Sequence, residues 1–423
     1  MKNYVCLFIL FIITLYVQKK ENKKEYKNII NPCIVFIGVW LIIMFANSLH
    51  IYGLYSASNK AIIIINIGVI SFAIGYFISF AKKNKIKKDI NSYTIRYRYV
   101  YILCLICLVY FIIKFIRSFE LIISGSSLAN IREIVQNNNQ SSEINNLIYN
   151  FLVLPSAYSI EVLAITDYWI GKKNKVLFFC NLIIIFLRVI GDAGRTPLFN
   201  FILYMILGYI VSKDIQKAGA NNKETRKYIL IGILLLIIAT FSRITSSIWR
   251  ISYFYISMSP VLLGEWVNRV EEQNLLTYGI TSFNGIFFTL NYFIKNILGL
   301  NDYIPIIKKS YDIIAATDSN WIKINAGTTT ANAYVSLFWF FFTDGRLLGV
   351  VLGSVLFGYI CGDRYFKLIK NINLKNLAIY MLLFQSVIFS FIRFYFAKPY
   401  FILAYLFIIL LIKKEKENVN SKN

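Results

Sequence analysis

The chain has 423 residues, 57% of them hydrophobic and 17% aromatic, with 45 Lys and Arg against 21 Asp and Glu and a net charge of +24. A mean hydropathy of +0.59 exceeds what a soluble core requires and points to a polytopic membrane protein. In a soluble protein +24 would suggest nucleic acid; here the basic residues sort by loop, so the charge reads as topology and no nucleic-acid partner is expected.

In chain order, apolar runs of about 15 to 22 residues mark the spans, allowing for tilt. Tyr4 to Val17, Ile29 to Phe45, Ala61 to Ala81, Tyr99 to Ile116 and Leu147 to Ile165 come first. Val176 to Ile190, Thr196 to Val211 and Tyr228 to Phe241 follow, then Leu347 to Cys361, Leu377 to Ile392 and Phe401 to Ile412. The expected fold is therefore an all-α integral membrane protein of about eleven transmembrane helices, a single polytopic domain over residues 1–423. An odd number of crossings puts the termini on opposite sides.

KKENKKEYK, KKNKIKKDINSYTIRYR, GKKNK, SKDIQKAGANNKETRK, DRYFKLIKNINLK and the tail KKEKENVNSKN hold most of the 45 basic residues and alternate with nearly uncharged gaps. That assigns them, with the C-terminus, to the cytoplasm and the N-terminus to the outside. The long segment 243–346 is then extracytoplasmic, where basic residues carry little topological weight. Parity leaves one crossing in TTTANAYVSLFWFFFTDGRLLGVVLGSVLFGYICGD. Leu347 to Cys361 takes it, and NAYVSLFWFFF reads as a re-entrant or interfacial outer segment. Between Ser257 and Asn332, runs such as FNGIFFTLNYFIKNILGL suggest short amphipathic helices lying over the membrane. Lys2 precedes an apolar run without an A-x-A-like exit, so the first span reads as an anchor.

Motifs for familiar chemistry are missing: there is no G-x-x-x-x-G-K-[ST], no G-x-G-x-x-G and no H-E-x-x-H. Cys104 and Cys107 form a CLIC inside a span and read as inert buried thiols. His50, the single histidine, is either an interfacial residue or a general base on the outer side. Glu265 is a candidate acid, or a solvated residue on an amphipathic helix.

Charge stands out at GDAGRTPLFNF, where Asp192 and Arg195 occupy a short gap between spans flanked by Gly191, Gly194 and Pro197. Arg188, Arg195, Arg243, Arg250, Arg346 and Arg393 fall at or near outer span ends, whereas the cytoplasmic loops favour lysine. A guanidinium donates two parallel bonds to a phosphate, which makes these arginines candidate phosphate ligands; the alternative is that they snorkel. A helix continued through FSRITSSIWRISYFY would put Arg243 and Arg250 two turns apart on one face.

RVIGDAGRTPLFNFILYMILGYI, followed by a long outer loop and then by NAYVSLFWFFFTDGRLLGVVLGSVLFGYICGD, resembles the Wzy-like oligosaccharide repeat-unit polymerases of O-antigen, capsule and exopolysaccharide. The motifs occupy residues 188–200 and 328–362, while the architecture covers most of the chain. The family's loop arginine resembles Arg195, its Asn-Ala-Tyr segment resembles Asn332 to Tyr334, and its acidic-plus-glycine turn resembles Asp344 to Gly349. Family members often read D-x-G-x-x-G there; in TDGRLLG the inner glycine comes one place early and Arg346 stands in its stead.

The resemblance implies a GT-C-like bundle with a long outer loop, in a bacterial cytoplasmic membrane. It implies a glycosyltransferase that joins undecaprenyl-diphosphate-linked oligosaccharide repeat units on the outer leaflet. Arg195, Asp192 and Asp344 are then the expected catalytic residues, and Arg188, Arg243, Arg250, Arg346, Asn332 and Tyr334 the expected substrate-binding ones. Asp192 would orient the guanidinium or handle a proton; capping a helix is its plain alternative, as a turn role is for Asp344. No cofactor is needed where arginines supply the charge at the leaving diphosphate. The bilayer and a chain-length regulator complete the expected partners. An O-antigen ligase, a lipid-linked-oligosaccharide flippase and an export scaffold remain alternatives. The ligases typically carry a histidine in the large outer loop, which this chain lacks.

Overall fold

A computed structural model describes residues 5–22, 29–87, 91–125, 143–192, 194–215, 248–299 and 302–415. Arg243 and the expected span from Tyr228 to Phe241 lie outside these residues. Within them the chain is all-α apart from two short antiparallel ladders. The helices over the first apolar runs are α1 (Val5–Asn22), α2 (Pro32–Ser48), α3 (Asn59–Lys82) and α4 (Tyr97–Ile123). Next come α5 (Glu143–Ile148), α6 (Leu154–Ile170), α7 (Lys175–Gly191) and α8 (Thr196–Ile215). The long segment holds α9 (Ile248–Ser257), α10 (Ser259–Glu272), α11 (Asn284–Leu298) and α12 (Pro305–Ser319), and the chain continues with α13 (Ser336–Lys370), α14 (Leu374–Ile388) and α15 (Pro399–Leu411). Among the described residues six helices are long and apolar enough to cross a membrane, and Leu7–Tyr16, Pro32–Ser48 and Pro399–Leu411 are shorter apolar helices.

Local chemistry starts these helices where the apolar runs begin. Asn31 caps α2 by accepting from Cys33 N at 2.8 Å, with Pro32 at a position whose N–H has no helical partner anyway. Ser58 accepts from Ala61 N at 3.2 Å to cap α3, and Asn174 accepts from Leu177 N at 3.1 Å to cap α7. A π-helical turn at Tyr149–Val153 precedes α6. Pro155 follows it closely, and a residue without an N–H breaks the regular ladder there.

The chain divides into two compact, interleaved units. The first comprises Met1–Ile86, Ser246–Phe366 and Leu383–Ile402. Its core is aromatic: Phe36 stacks on Phe72 with centroids 3.9 Å apart, Trp40 tilts against Phe338 at 4.8 Å, and Trp266 meets Trp339 edge-on at 6.1 Å. In α3 and α13 glycine permits backbone-to-backbone contact. A Cβ on Gly75 would sit 2.0 Å from Val355 O, and one on Gly358 would sit 2.0 Å from Phe72 O. Such small-residue crossings suit helices that gain nothing from burying apolar surface in lipid. The ladder of β2 (Ile322–Lys323) with β3 (Thr330–Ala331) closes the turn after α12.

α13 is interrupted at Gly345 (φ −159, ψ 28) and Arg346 (φ 52, ψ −141). The break falls at the acidic turn that separates the outer segment from the expected crossing. Arg346 holds the left-handed φ that a glycine at this place would adopt without strain. The aromatics before the break are in the protein interior rather than at a surface, since Phe338, Trp339 and Phe340 are fully buried.

The second unit comprises Lys87–Thr245, Lys367–Leu382 and Leu403–Asn423. From Leu154 through Asp167 every residue of α6 is buried, the polar Ser156, Ser159, Glu161, Thr166 and Asp167 included. α4, α7 and α8 pack against α6. Gly208 of α8 gives way to the Trp169 indole, which a Cβ would meet at 2.1 Å. β1 (Tyr93–Ile95) pairs with β4 (Ile412–Lys414), Thr94 opposite Lys413.

Candidate functional site

In the second unit the glycine-flanked gap is held by one carboxylate. α7 ends as Asp192 N donates to Arg188 O at 2.9 Å and Gly194 N to Val189 O at 3.1 Å. Asp192 then accepts from Lys114 Nζ at 2.8 Å and from Tyr149 OH at 2.9 Å, and Arg188 Nε lies 3.8 Å away. Gly191 makes this possible. A Cβ there would meet Lys114 Cβ at 3.1 Å, and Ser118 Oγ donates to Gly191 O at 3.1 Å, so α4 and α7 close together.

Aromatic rings line the cations. Lys114 Nζ lies 4.0 Å from the Tyr149 ring centroid, and the Arg188 guanidinium carbon lies 4.8 Å from that of Tyr158. Arg188 is only 5% exposed, and its Nε has no hydrogen-bond partner. Two cations thus share one carboxylate in a partly buried place walled by tyrosine rings, with Arg188 the buried member and Lys114 and Asp192 partly exposed. Arg195 opens α8, its carbonyl accepting from Phe199 N at 3.2 Å. Its side chain is half-buried.

Sequence reasoning missed Glu161 on α6. It is 1% exposed, and neither carboxyl oxygen has a hydrogen-bond partner; the amides of Asn181 on α7 and Asn200 on α8 are in the same condition. Glu161 is one turn from Tyr158, so both project from the face of α6 that meets Arg188. A glutamate inside an apolar run was the available signal, because ionisable residues at such depth are costly and rarely without purpose.

In the first unit Asp344 is fully engaged. Oδ1 accepts from Thr277 Oγ1 at 2.6 Å and Thr281 N at 2.9 Å, and Oδ2 from Ser282 N at 3.0 Å. It thereby pins the turn that leads into α11, and a buried chain continues from Thr277 through Thr281 to Ser310 at 2.8 and 2.9 Å. Arg346 lies over the Phe342 ring at 5.4 Å, with one Nη bonded to Val270 O at 3.5 Å and the other buried without a partner. Arg250 donates to Thr329 Oγ1 at 3.0 Å. His50 Nδ1 is 3.3 Å from Leu54 O.

Asn332 donates to Asp318 O, and Tyr334 rests against Phe391 with centroids 5.9 Å apart. Asp318 itself bridges two cations: Arg393 meets it with both Nη atoms, and Lys398 Nζ donates to Oδ2 at 2.9 Å. Burial would raise the Asp318 carboxyl, but Arg393 and Lys398 outweigh it and hold the group well below the usual carboxylate range. Burial also works against the Arg393 charge, which Asp318 more than restores, while the Lys398 ammonium is left lowered by burial.

Arg188, Asp192 and Arg195 therefore belong to the second unit, and Arg250, Asn332, Tyr334, Asp344 and Arg346 to the first. Among the described residues no three His, Cys, Asp or Glu side chains form a metal-binding group. No protein-family model, curated protein or solved structure matches the chain.

Proposed function

We propose that this chain is a membrane glycosyltransferase that polymerises lipid-diphosphate-linked oligosaccharide repeat units on the outer face of a bacterial cytoplasmic membrane, crossing it about eleven times. The observation that carries the reading is the Arg188–Asp192–Lys114 cluster: two cations and one carboxylate, walled by Tyr149 and Tyr158, beside the Gly191–Arg195 gap. The motif resemblance at residues 188–200 and 328–362 supports it independently.

In the reaction an acceptor hydroxyl oxygen bonds to the donor sugar's C1, the C1–O bond to the diphosphate breaks, and the hydroxyl proton passes to a base. Negative charge grows on the leaving diphosphate. Arg188, Lys114 and Arg195 supply fixed positive charge for it, and Arg188, the buried one of the three, acts where charge stabilisation is worth most. Asp192 acts as a positioning residue, since its oxygens already accept from Lys114 and Tyr149. An undecaprenyl diphosphate is the carrier this reading assigns, with a chain-length regulator as partner.

Purified protein in nanodiscs, given lipid-diphosphate-linked repeat units without nucleotide, should lengthen them and release one free carrier per unit added. Arg188→Gln should slow extension about 10²-fold or more, and Arg188→Lys should recover part of it, because a point charge lacks the guanidinium's paired donors. A knockout should still export single units. Failure to extend native substrate, together with unit export lost in the knockout, would move the assignment to a flippase. Transfer to a terminal acceptor without lengthening would move it to a ligase.

A further inference from the structure

The opposite end of α4 from Lys114 carries a second cationic site that the polymerisation chemistry does not use. A cavity of about 380 Å³ opens there, lined by Thr94, Arg96, Tyr97, Arg98, Lys172 and Lys413, among others. Its walls are built rather than incidental. The β1–β4 ladder sets Thr94 opposite Lys413, and Arg96 N donates to Leu411 O at 2.8 Å. Tyr97 OH donates to Asp167 Oδ1 at 2.6 Å. Asp167 also accepts from the backbone of Lys172 at 3.0 Å and of Asn174 at 2.9 Å, so its charge is taken up in holding the wall. Among the described residues the cavity's ion pair is Lys172 with Glu415 at 3.7 Å, which leaves the lining strongly positive.

An apolar track leads away from this cup. Tyr99, Ile102, Leu105, Val109, Ile113 and Ile116 are all half or more exposed. Their spacing of three and four residues puts them on one face of α4. Tyr99 belongs to both features: it lines the cavity and heads the stripe. A cationic cup at the end of a membrane-length apolar face complements a molecule with an anionic head and a hydrocarbon tail, and neither part alone.

We propose that this is a binding site for an anionic phospholipid of the inner leaflet, its phosphate held by Arg96, Arg98 and Lys413 and one acyl chain lying along the exposed face of α4. Arginine supplies paired donors to the phosphate oxygens. Clefts of this size hold small headgroups, and basic residues facing the cytoplasmic leaflet meet its negative surface potential. The tail adds apolar burial that inorganic phosphate cannot.

The full chain, purified in detergent and examined by native mass spectrometry, should retain phosphatidylglycerol in preference to phosphatidylcholine. Each of Arg96→Gln, Arg98→Gln and Lys413→Gln should weaken retention about fivefold and the triple variant about a hundredfold. A control that removes two charges elsewhere, Lys83→Gln with Lys85→Gln, should stay near wild type. Leu105→Ser should weaken lipid retention while leaving inorganic phosphate binding unchanged. Photoactivatable phosphatidylglycerol on the unaltered protein should crosslink to residues 94–105, a readout that needs no variant.

Equal retention of the two lipids, wild-type retention by the triple variant, or crosslinks scattered over other helices would overturn the site. Inorganic phosphate binding as tightly as the lipid would overturn the acyl-chain half and leave a free-phosphate site. None of these readouts depends on extension of repeat units.

Discussion

At Asp344 a turn role and a catalytic role predict different behaviour. Its two oxygens take three donors from the turn at Thr277–Ser282. Asparagine presents one acceptor oxygen, so Asp344→Asn leaves at least one of those groups unpaired at a cost of about 1–3 kcal/mol. The variant should melt earlier in detergent yet keep its activity per folded molecule if Asp344 only holds the turn. Normal melting with activity lost would make it catalytic. Asp318 has a different signature. Its carboxyl is depressed, so the stability it contributes is fully present above the ordinary carboxylate pKa of about 3.9 and is lost only as pH falls through the lower folded value. The stability difference between wild type and Asp318→Asn should therefore stay constant from neutral pH down to about 4 and shrink below it. A difference already fading near pH 5 would contradict the charge pairing with Arg393 and Lys398.

Among the elements, α3 and α13 depend most on residues that carry no side chain. The glycines of GVVLGSVLFGYICGD are visible in the sequence as small-residue spacing, but their partner helix is not. Gly75 and Gly358 face carbonyl oxygens at 2.0 Å from where a Cβ would be, and backbone cannot swing away as a side chain can. Gly75→Ala and Gly358→Ala should each abolish monodisperse, folded protein. Gly38→Ala should be tolerated, because its Cβ would meet only the Phe11 ring at an ordinary 3.5 Å. Folded Gly75→Ala protein on size-exclusion chromatography would dispute the helix crossing. α6 is the converse case: its apolar sequence announced a helix, whereas the π turn at Tyr149–Val153, close before Pro155, depended on local geometry.

At the scale of the whole molecule, charge distribution predicts sidedness. Cysteines placed at Lys85 and Lys173 should resist an impermeant thiol reagent in intact cells, and cysteines at His50 and Arg195 should react. The native cysteines at positions 33, 104, 107 and 361 are buried whereas Cys180 is partly exposed, so the labelling is done in a Cys6→Ser, Cys180→Ser background. The reverse labelling pattern would overturn the orientation and put the Asp192 cluster on the cytoplasmic face. The interleaved units add a constraint that sidedness does not: Arg188 and Asp192 are built by one set of segments, Arg250 and Asp344 by another.

Composition and hydropathy point by themselves to a helical membrane chain, because long apolar runs have few other places to be, and six helices long and apolar enough to cross a membrane among the described residues are compatible with it. Caps and prolines marked several helix starts, among them Asn31–Pro32, Ser58 and Asn174, since those preferences act over a few neighbouring residues. The pairing of charges did not follow. Asp192 could have met Arg195 or Arg188 by sequence distance alone, and the structure supplied Lys114 and Tyr149, which are 78 and 43 residues away. Asp318 gained Arg393 and Lys398 from 75 and 80 residues away. Burial was only partly legible: a glutamate inside an apolar run marks Glu161 as unusual, but only the packing of α4, α7 and α8 around α6 made it a buried acid. Local propensity is written in neighbouring residues, but a side chain's partners and its distance from water belong to the assembled helices.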